Sequence, residues 1–289
     1  MIRHTVRRST TSVMLLAAHL GLVTTVQAQD KEIGTFFTTE FTAVWTAGNA
    51  ESNTLGLATV LRNVWESAEL KFEGGAVRSE SSLKTRTAVG TTDNFQIQEQ
   101  TTTEKTAEAY YLRGRYDRQI GEHFFGFAGA DWLRNTFAGI DSRILLAAGA
   151  GNSWINSDRV RFKTDYSATY TFQEDVVENP FVKTKFPGVR FAYDLWAKLT
   201  ESTEFSSALT NDVNLDNTKD VRLDFTNAIA VAISSKLALK PSLQLLWRNT
   251  PSLTDVGLVA TDGTPTGENV TVPLQKVDSF FKIALVVRL

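Results

Sequence analysis

From residue 36 to residue 289 one pattern recurs: apolar side chains take every second position, and polar or small residues fill the places between them. A strand sends successive side chains to opposite faces, so a period of two means one apolar and one polar face. The last segment is the clearest case. Phe281, Ile283, Leu285, Val287 and Leu289 alternate with Lys282, Ala284, Val286 and Arg288. Chain ends fray unless something ties them down, and this end is built to pair. The helical period of 3.6 is almost absent.

Strong alternation also runs through Val160 to Phe172, Val189 to Leu199, Val221 to Ile233 and Leu237 to Arg248. Weaker strands read at 36–47, 54–65, 68–79, 106–118, 123–134, 141–152 and 203–214. Twelve strands result, an even number, with lengths that suit tilted spans of a bilayer. Short turns fall near 66–67, 119–122, 153–158, 200–202 and 234–236, whereas 80–105 and 249–274 are long and rich in Thr, Asp, Gly and Pro. The expected fold is therefore all-β: a transmembrane antiparallel β-barrel of about 12 strands, with short periplasmic turns and longer extracellular loops. A soluble β-sandwich or small barrel also alternates, but large residues on one face of twelve long strands would overfill its core. Trp45, Trp132 and Trp247 fall near outer strand ends and Trp65, Trp154 and Trp196 near inner ends, the depths of two interfacial girdles, although Trp196 has the parity of its strand's polar side. Pro241 fits worst, because it removes a ladder hydrogen bond from the eleventh strand.

The N-terminus sets the expected compartment. A basic "MIRHTVRR", an apolar "SVMLLAAHLGLVTTV" and the short residues of "VQA" have the layout of a secretory signal cleaved after Ala28. The division expected is a cleaved signal peptide at 1–28 and an outer-membrane barrel at 29–289. Loss of Arg3, Arg7 and Arg8 from the 30 basic residues leaves 27 against 32 acids, which argues against nucleic acid as a partner. No cysteine is present, so neither lipoprotein attachment nor disulfides are available. No later stretch is apolar for long enough to cross a membrane as a helix.

Two stretches carry a resemblance. "EFTAVWTAGNAESNTLGLATVLRNVWESAELKFEGGAVRSES" resembles the opening of the YdiY-like family of salt-induced outer-membrane proteins, through Gly48-Asn49 after an alternating strand and through "WESAEL". "AEAYYLRGRYDRQIGEHFFGFAGADWLRNTFAGIDSRILLAAGAG" is similar to the middle of that family, including "FAGIDSR" from Phe137 to Arg143. The resemblance implies a small outer-membrane barrel linked to salt or acid stress, with no established molecular activity. Leu289 departs from the aromatic residue usual at the end of such barrels.

Little here looks catalytic. Beyond the signal the one histidine is His123, in a short periplasmic turn that outer-leaflet substrates do not reach, so no enzyme activity is expected. One His and no Cys leave no transition-metal cluster, and no cofactor is expected. "GAGAGN" is followed by no helix, so it is not a phosphate loop; its small residues let a strand bend or neighbours pack. Asp141 and Arg143 read as a loop brace, and Asp93, Glu99 and Glu104 as charges of a solvated loop.

Polar parity points instead to the lumen. The candidate lining residues are Arg62, Glu73, Glu108, Arg113, Arg115, Arg143, Asp165, Arg190, Asp194, Arg222 and Asp224. The interior set as a whole is mixed in charge with a basic bias. Opposite charges that pair across the interior would close it; charges on opposite walls would line an anion-preferring pore. The expected role is non-enzymatic, in envelope integrity or as a narrow anion-biased pore. Alternatives are a hydrolase acting without histidine, or a barrel that displays its loops as an adhesin or receptor. The expected partners are outer-membrane lipids and lipopolysaccharide, with the barrel assembly machinery during insertion.

Overall fold

The structure is a computed structural model that describes residues 33–46, 50–91, 94–180, 182–262 and 264–288. The signal at 1–28 and Leu289 lie outside the described residues. Twelve strands form one closed antiparallel barrel: β1 (Gly34–Thr46), β2 (Ala50–Val64), β3 (Ala68–Thr91), β4 (Asn94–Gln119), β5 (Phe124–Asn135), β6 (Ile140–Asn156), β7 (Val160–Asp175), β8 (Lys185–Lys198), β9 (Thr203–Asn214), β10 (Val221–Ala232), β11 (Leu237–Arg248) and β14 (Val277–Arg288). Between β11 and β14 the chain makes a separate hairpin of β12 (Leu253–Val259) and β13 (Pro265–Pro273). Each barrel strand pairs with its neighbours in sequence, apart from this insertion, and β14 closes on β1. The alternation of the final strand is thereby explained: it is the closing strand.

The apolar parity faces outward. Phe41, Leu57, Phe72, Leu112, Tyr166, Ile229, Leu239, Phe281 and Ile283 all stand exposed on the outer surface. Inward positions on the same strands are small or polar, as at Thr38, Glu73, Ser167, Ser206, Ala228 and Gln244, all buried. This inverts the arrangement of a soluble barrel and is the arrangement that a span through hydrocarbon requires, with strand closure satisfying the backbone.

The seam is the weakest part of the ladder. Among the described residues β1 and β14 share four register partners, from Thr38↔Arg288 to Phe41↔Leu285, whereas β1 and β2 share thirteen. Pro241 leaves its own mark. The β10–β11 pairing stops at Ala228↔Ser242 and resumes at Val231↔Leu239, while Pro241 still lies opposite Ile283 on the other side. The missing proline N–H interrupts one ladder and spares the other.

Three expectations need correction. Residues 80–105 are not a loop for most of their length: β3 and β4 continue as one hairpin to Thr91↔Asn94, past the last β2 partner at Leu83. The connection 249–274 is likewise not structureless but holds β12 and β13. The third concerns tryptophan. Trp65 and Trp154 are exposed at the turn end, but Trp196 faces inward, 5% exposed, with the Arg161 guanidinium 5.0 Å from its ring centroid. The ring is buried and packs against the half-buried Arg161 cation, so Trp196 belongs to the interior and not to a girdle.

Candidate functional site

A cavity of about 480 Å³ runs inside the barrel. At the turn end Glu69, Lys71, Asp117 and Lys163 line it; at the loop end Asn135, Arg143, Arg248 and Ser252 do. The rest of the interior is packed, with Val60 on Tyr111 and Trp196 on Ala230. Among the described residues the charged lining balances, nine basic against nine acidic side chains. The expected basic bias is therefore not spread over the whole cavity.

Three arginines tie the walls together across the lumen. Arg115 on β4 donates to Asp117 at 2.7 Å and, over two intervening strands, to Asp165 on β7 at 2.9 Å. Its guanidinium also lies 3.8 Å from the Phe127 ring centroid. Arg190 on β8 forks onto Asp212 through Nε at 2.7 Å and Nη2 at 3.0 Å, and reaches Asp131 on β5 at 3.0 Å. Arg222 holds Asp220 at 2.7 Å and Gln173 on β7 at 2.9 Å. Bidentate contacts of this kind suit the planar guanidinium, and each tether fixes the distance between non-adjacent strands.

The other candidates fall as follows. Arg62 sits at the turn end, in a fork with Glu69 at 2.8 and 2.9 Å. Glu73 is buried beside Lys71 at 3.2 Å. Arg113 lines the cavity with its guanidinium 5.0 Å from the Tyr111 ring centroid. Asp194 lines it near Lys163, and Asp224 accepts from Gln244 at 2.8 Å.

Glu108 is misplaced by the sequence reading. Its neighbour Ala109 is buried inward, and Glu108 pairs in register with exposed Arg78 and accepts from the Tyr110 hydroxyl on the outer face. Counted without a break from inward Arg113 and Arg115, Glu108 has the outward parity; the bulge of β4, where Ala107 pairs with Ser79 but Lys105 with Glu80, lies on the far side of Glu108 and plays no part in its facing. The sequence reading also passed over Asp131 and Glu69. Asp131 shares its parity with Phe125, Phe127 and Leu133, which an apolar-outward rule sends to lipid.

The "FAGIDSR" stretch is a structural joint as well as part of the lining. Asn135 caps a short 3-10 turn, Thr136–Ala138, by accepting from the Ala138 N–H at 3.1 Å. Gly139 follows in the left-handed region, φ 73°, and a Cβ there would overlap the Ser252 side chain. Asp141 braces Arg134 at 3.0 Å on the exposed side, and Arg143 points into the cavity. Ser252 is thus held at the loop end, where its carbonyl accepts from the Leu274 N–H at 2.9 Å. The glycines of "GAGAGN" serve close packing: a Cβ on Gly149 would overlap the Tyr166 carbonyl and lie 2.6 Å from Ser167 Cα.

His123 is an exposed turn residue, 4.0 Å from Glu122. Asp93 and the side chains of Glu99 and Glu104 lie outside the described residues.

A family model described as "Protein of unknown function, DUF481" matches residues 39–261, from within β1 to just past β12. The chain belongs to the DUF481 family. Within reach of this family it is similar to "Uncharacterized protein YdiY" of Escherichia coli (strain K12), 24% identical over 148 residues. That match spans 51% of this chain and 56% of the relative, so the chain covers just over half of the curated protein it matches. Among solved structures, the NanC porin aligns with 88% of this DUF481 chain and 100% of its own, at 8% identity and TM-score 0.46. The anion-selective porin from Comamonas acidovorans aligns with 88% and 98%, at 9% identity and TM-score 0.38.

Proposed function

We propose that this DUF481 protein is a non-enzymatic outer-membrane barrel whose lumen is a narrow path for small anions, selective at its loop end. One observation carries the reading. Among the described residues Arg143 faces the cavity without a hydrogen bond or ion pair, while the acids nearest to it are already taken by other arginines. Charges tied between strands set the width, and the guanidinium of Arg143 at the loop end sets the sign. On this reading lipid and lipopolysaccharide surround the outer face and the assembly machinery inserts the closing strand. The path would serve solute balance under salt or acid stress.

The test is single-channel conductance of the refolded barrel in a planar bilayer under a salt gradient. Discrete steps with a reversal potential toward the anion value are expected. A silent bilayer holding correctly inserted protein would refute the pore and leave a closed barrel acting in envelope integrity.

The height of the β3–β4 hairpin favours a second reading, loop display to a partner. From Lys84 to Thr91 β3 pairs with β4 alone, which at strand rise is roughly 27 Å of ribbon beyond its neighbours. Deletion of residues 84–102 that abolishes surface adhesion but not conductance would support it.

A further inference from the structure

At the loop end of the cavity Arg143 and Arg248 both lack an ion pair among the described residues, although Asp175, Asp220 and Asp278 also act on Arg248. Among the charges that act on Arg143, Arg222, Arg248 and Arg190 are cationic and Asp212 is the acid. Both Asp212 oxygens are engaged by Arg190, and Arg222 is spent on Asp220 and Gln173. Arg248 donates through Nη1 to Ser252 Oγ at 2.9 Å, and its buried Nε has no partner. Two guanidinia therefore share one pocket with their donors incompletely used. Burying like charges together is costly unless a counter-charge joins them, and orphaned buried donors are costly as well.

We infer that Arg143, Arg248 and Ser252 form a seat for a small oxyanion bearing a carboxylate or phosphate group. Guanidinium forks match the two oxygens of either group, at shorter range and with more direction than an ammonium. The Ser252 hydroxyl accepts from Arg248 and keeps its own proton to donate to the anion. Ser252 is 2% exposed and is held in place by the docking of residues 249–252 on Gly139, so the seat exists only while that connection stays down. The inference deepens the pore reading by naming what the path recognises, and it rests on the cavity being reachable from water.

The experiment titrates the folded barrel in detergent with inorganic phosphate and with succinate, followed by calorimetry. Saturable binding of one anion per barrel is expected, for at least one of the two probes, and the tighter probe identifies the head group. Arg143→Gln and Arg248→Gln should each weaken it at least tenfold. Arg143→Lys, which keeps the charge and loses the fork, should fall between. Arg134→Gln, at the exposed brace with Asp141, should bind as the parent does. The bound anion should also raise the thermal unfolding midpoint of the parent and leave that of Arg143→Gln unmoved. Absence of saturable binding to the parent, or parental affinity in Arg143→Gln or Arg248→Gln, overturns the seat. Conductance of the same preparations separates the two claims: anion-selective steps without binding remove the seat and keep the pore, and binding without steps does the reverse.

Discussion

Lys240 on β11 donates to Glu40 on β1 at 2.7 Å, although β14 stands between the two strands. The long side chain passes over Ala284, its own register partner, which is small enough to let it through. Both charged groups are shielded from water, with 6% and 13% of the side chains exposed. The pair thus spans the seam where β1 and β14 share four partners, and acts as a clasp on a short ladder.

Cutting one half of the clasp should cost more than removing both. A buried charge left without its partner costs about 3–5 kcal/mol, whereas an apolar replacement of the pair is nearly neutral. Glu40→Met and Lys240→Met should each lower the urea midpoint of the folded barrel, and the double variant should recover most of the loss. Single variants as stable as the parent would mean that the four backbone partners hold the seam unaided.

Leu112 and Arg113 give a direct reading of facing. Leu112 is 61% exposed on the outer wall, and Arg113 lines the cavity. The chain has no native cysteine, so single cysteines report without background. A lipid-soluble thiol label should modify Leu112→Cys and leave Arg113→Cys untouched, while a small water-soluble label should do the opposite. A charge at the first site should also be resisted: Leu112→Arg should cost about 2–4 kcal/mol if it lies at the bilayer midplane.

Gly139 governs the docked connection above the seat. A side chain there meets two penalties, about 1–2 kcal/mol for the left-handed backbone and an overlap with Ser252. Gly139→Ala should therefore release residues 249–252 from the mouth. Cleavage by trypsin after exposed Lys276 should accelerate about fivefold or more for each kcal/mol lost locally. Cleavage at the parental rate would show that the Leu274 contact with Ser252 is sufficient to keep the mouth covered.

These features were unequally legible in the sequence. Strands in the barrel wall announced themselves because lipid on one side and a polar lumen on the other impose strict alternation, as from Phe281 to Val287. The upper β3–β4 hairpin carries polar residues where it rises past its neighbours, with Ser82 Oγ and Thr103 Oγ1 2.8 Å apart on an exposed surface. No apolar face marks it, so it read as a loop. The lumen failed differently. Glu108 lies five residues from inward Arg113 on an unbroken stretch of β4, so strict alternation puts it outside although its charge suggests the lumen, and inward Phe127 mimics an outward residue because its ring supports Arg115. Side-chain polarity and facing part company at both residues. Arg143 was legible as a lumen residue, but its lack of an acid depends on how Arg190 and Arg222 distribute theirs, which only the closed barrel fixes.

Asp220 should make the loop end sensitive to acid. It lies just before β10, 2% exposed, with Arg222 Nη2 at 2.7 Å, Arg222 Nε at 3.1 Å and Asn214 Nδ2 at 3.3 Å. Burial alone would raise its carboxyl, but hydrogen bonding and charge from Arg222, with help from Arg248, outweigh burial and hold it below the ordinary carboxylate range. A carboxyl lowered by folding stabilises the protein fully above its unfolded value, near ~pH 4, and that contribution disappears as the pH falls through the lower folded value. Unfolding midpoints of the parent should therefore drop on acidification below about pH 4, and Asp220→Asn should be less stable at neutral pH but flatter across the acid range. The same protonation would free Arg222 beside Arg143 and Arg248 and add to the positive charge at the mouth. Anion selectivity measured on the conducting barrel should then rise as the pH falls, and a selectivity that stays constant while Asp220 titrates would separate this ion pair from the path.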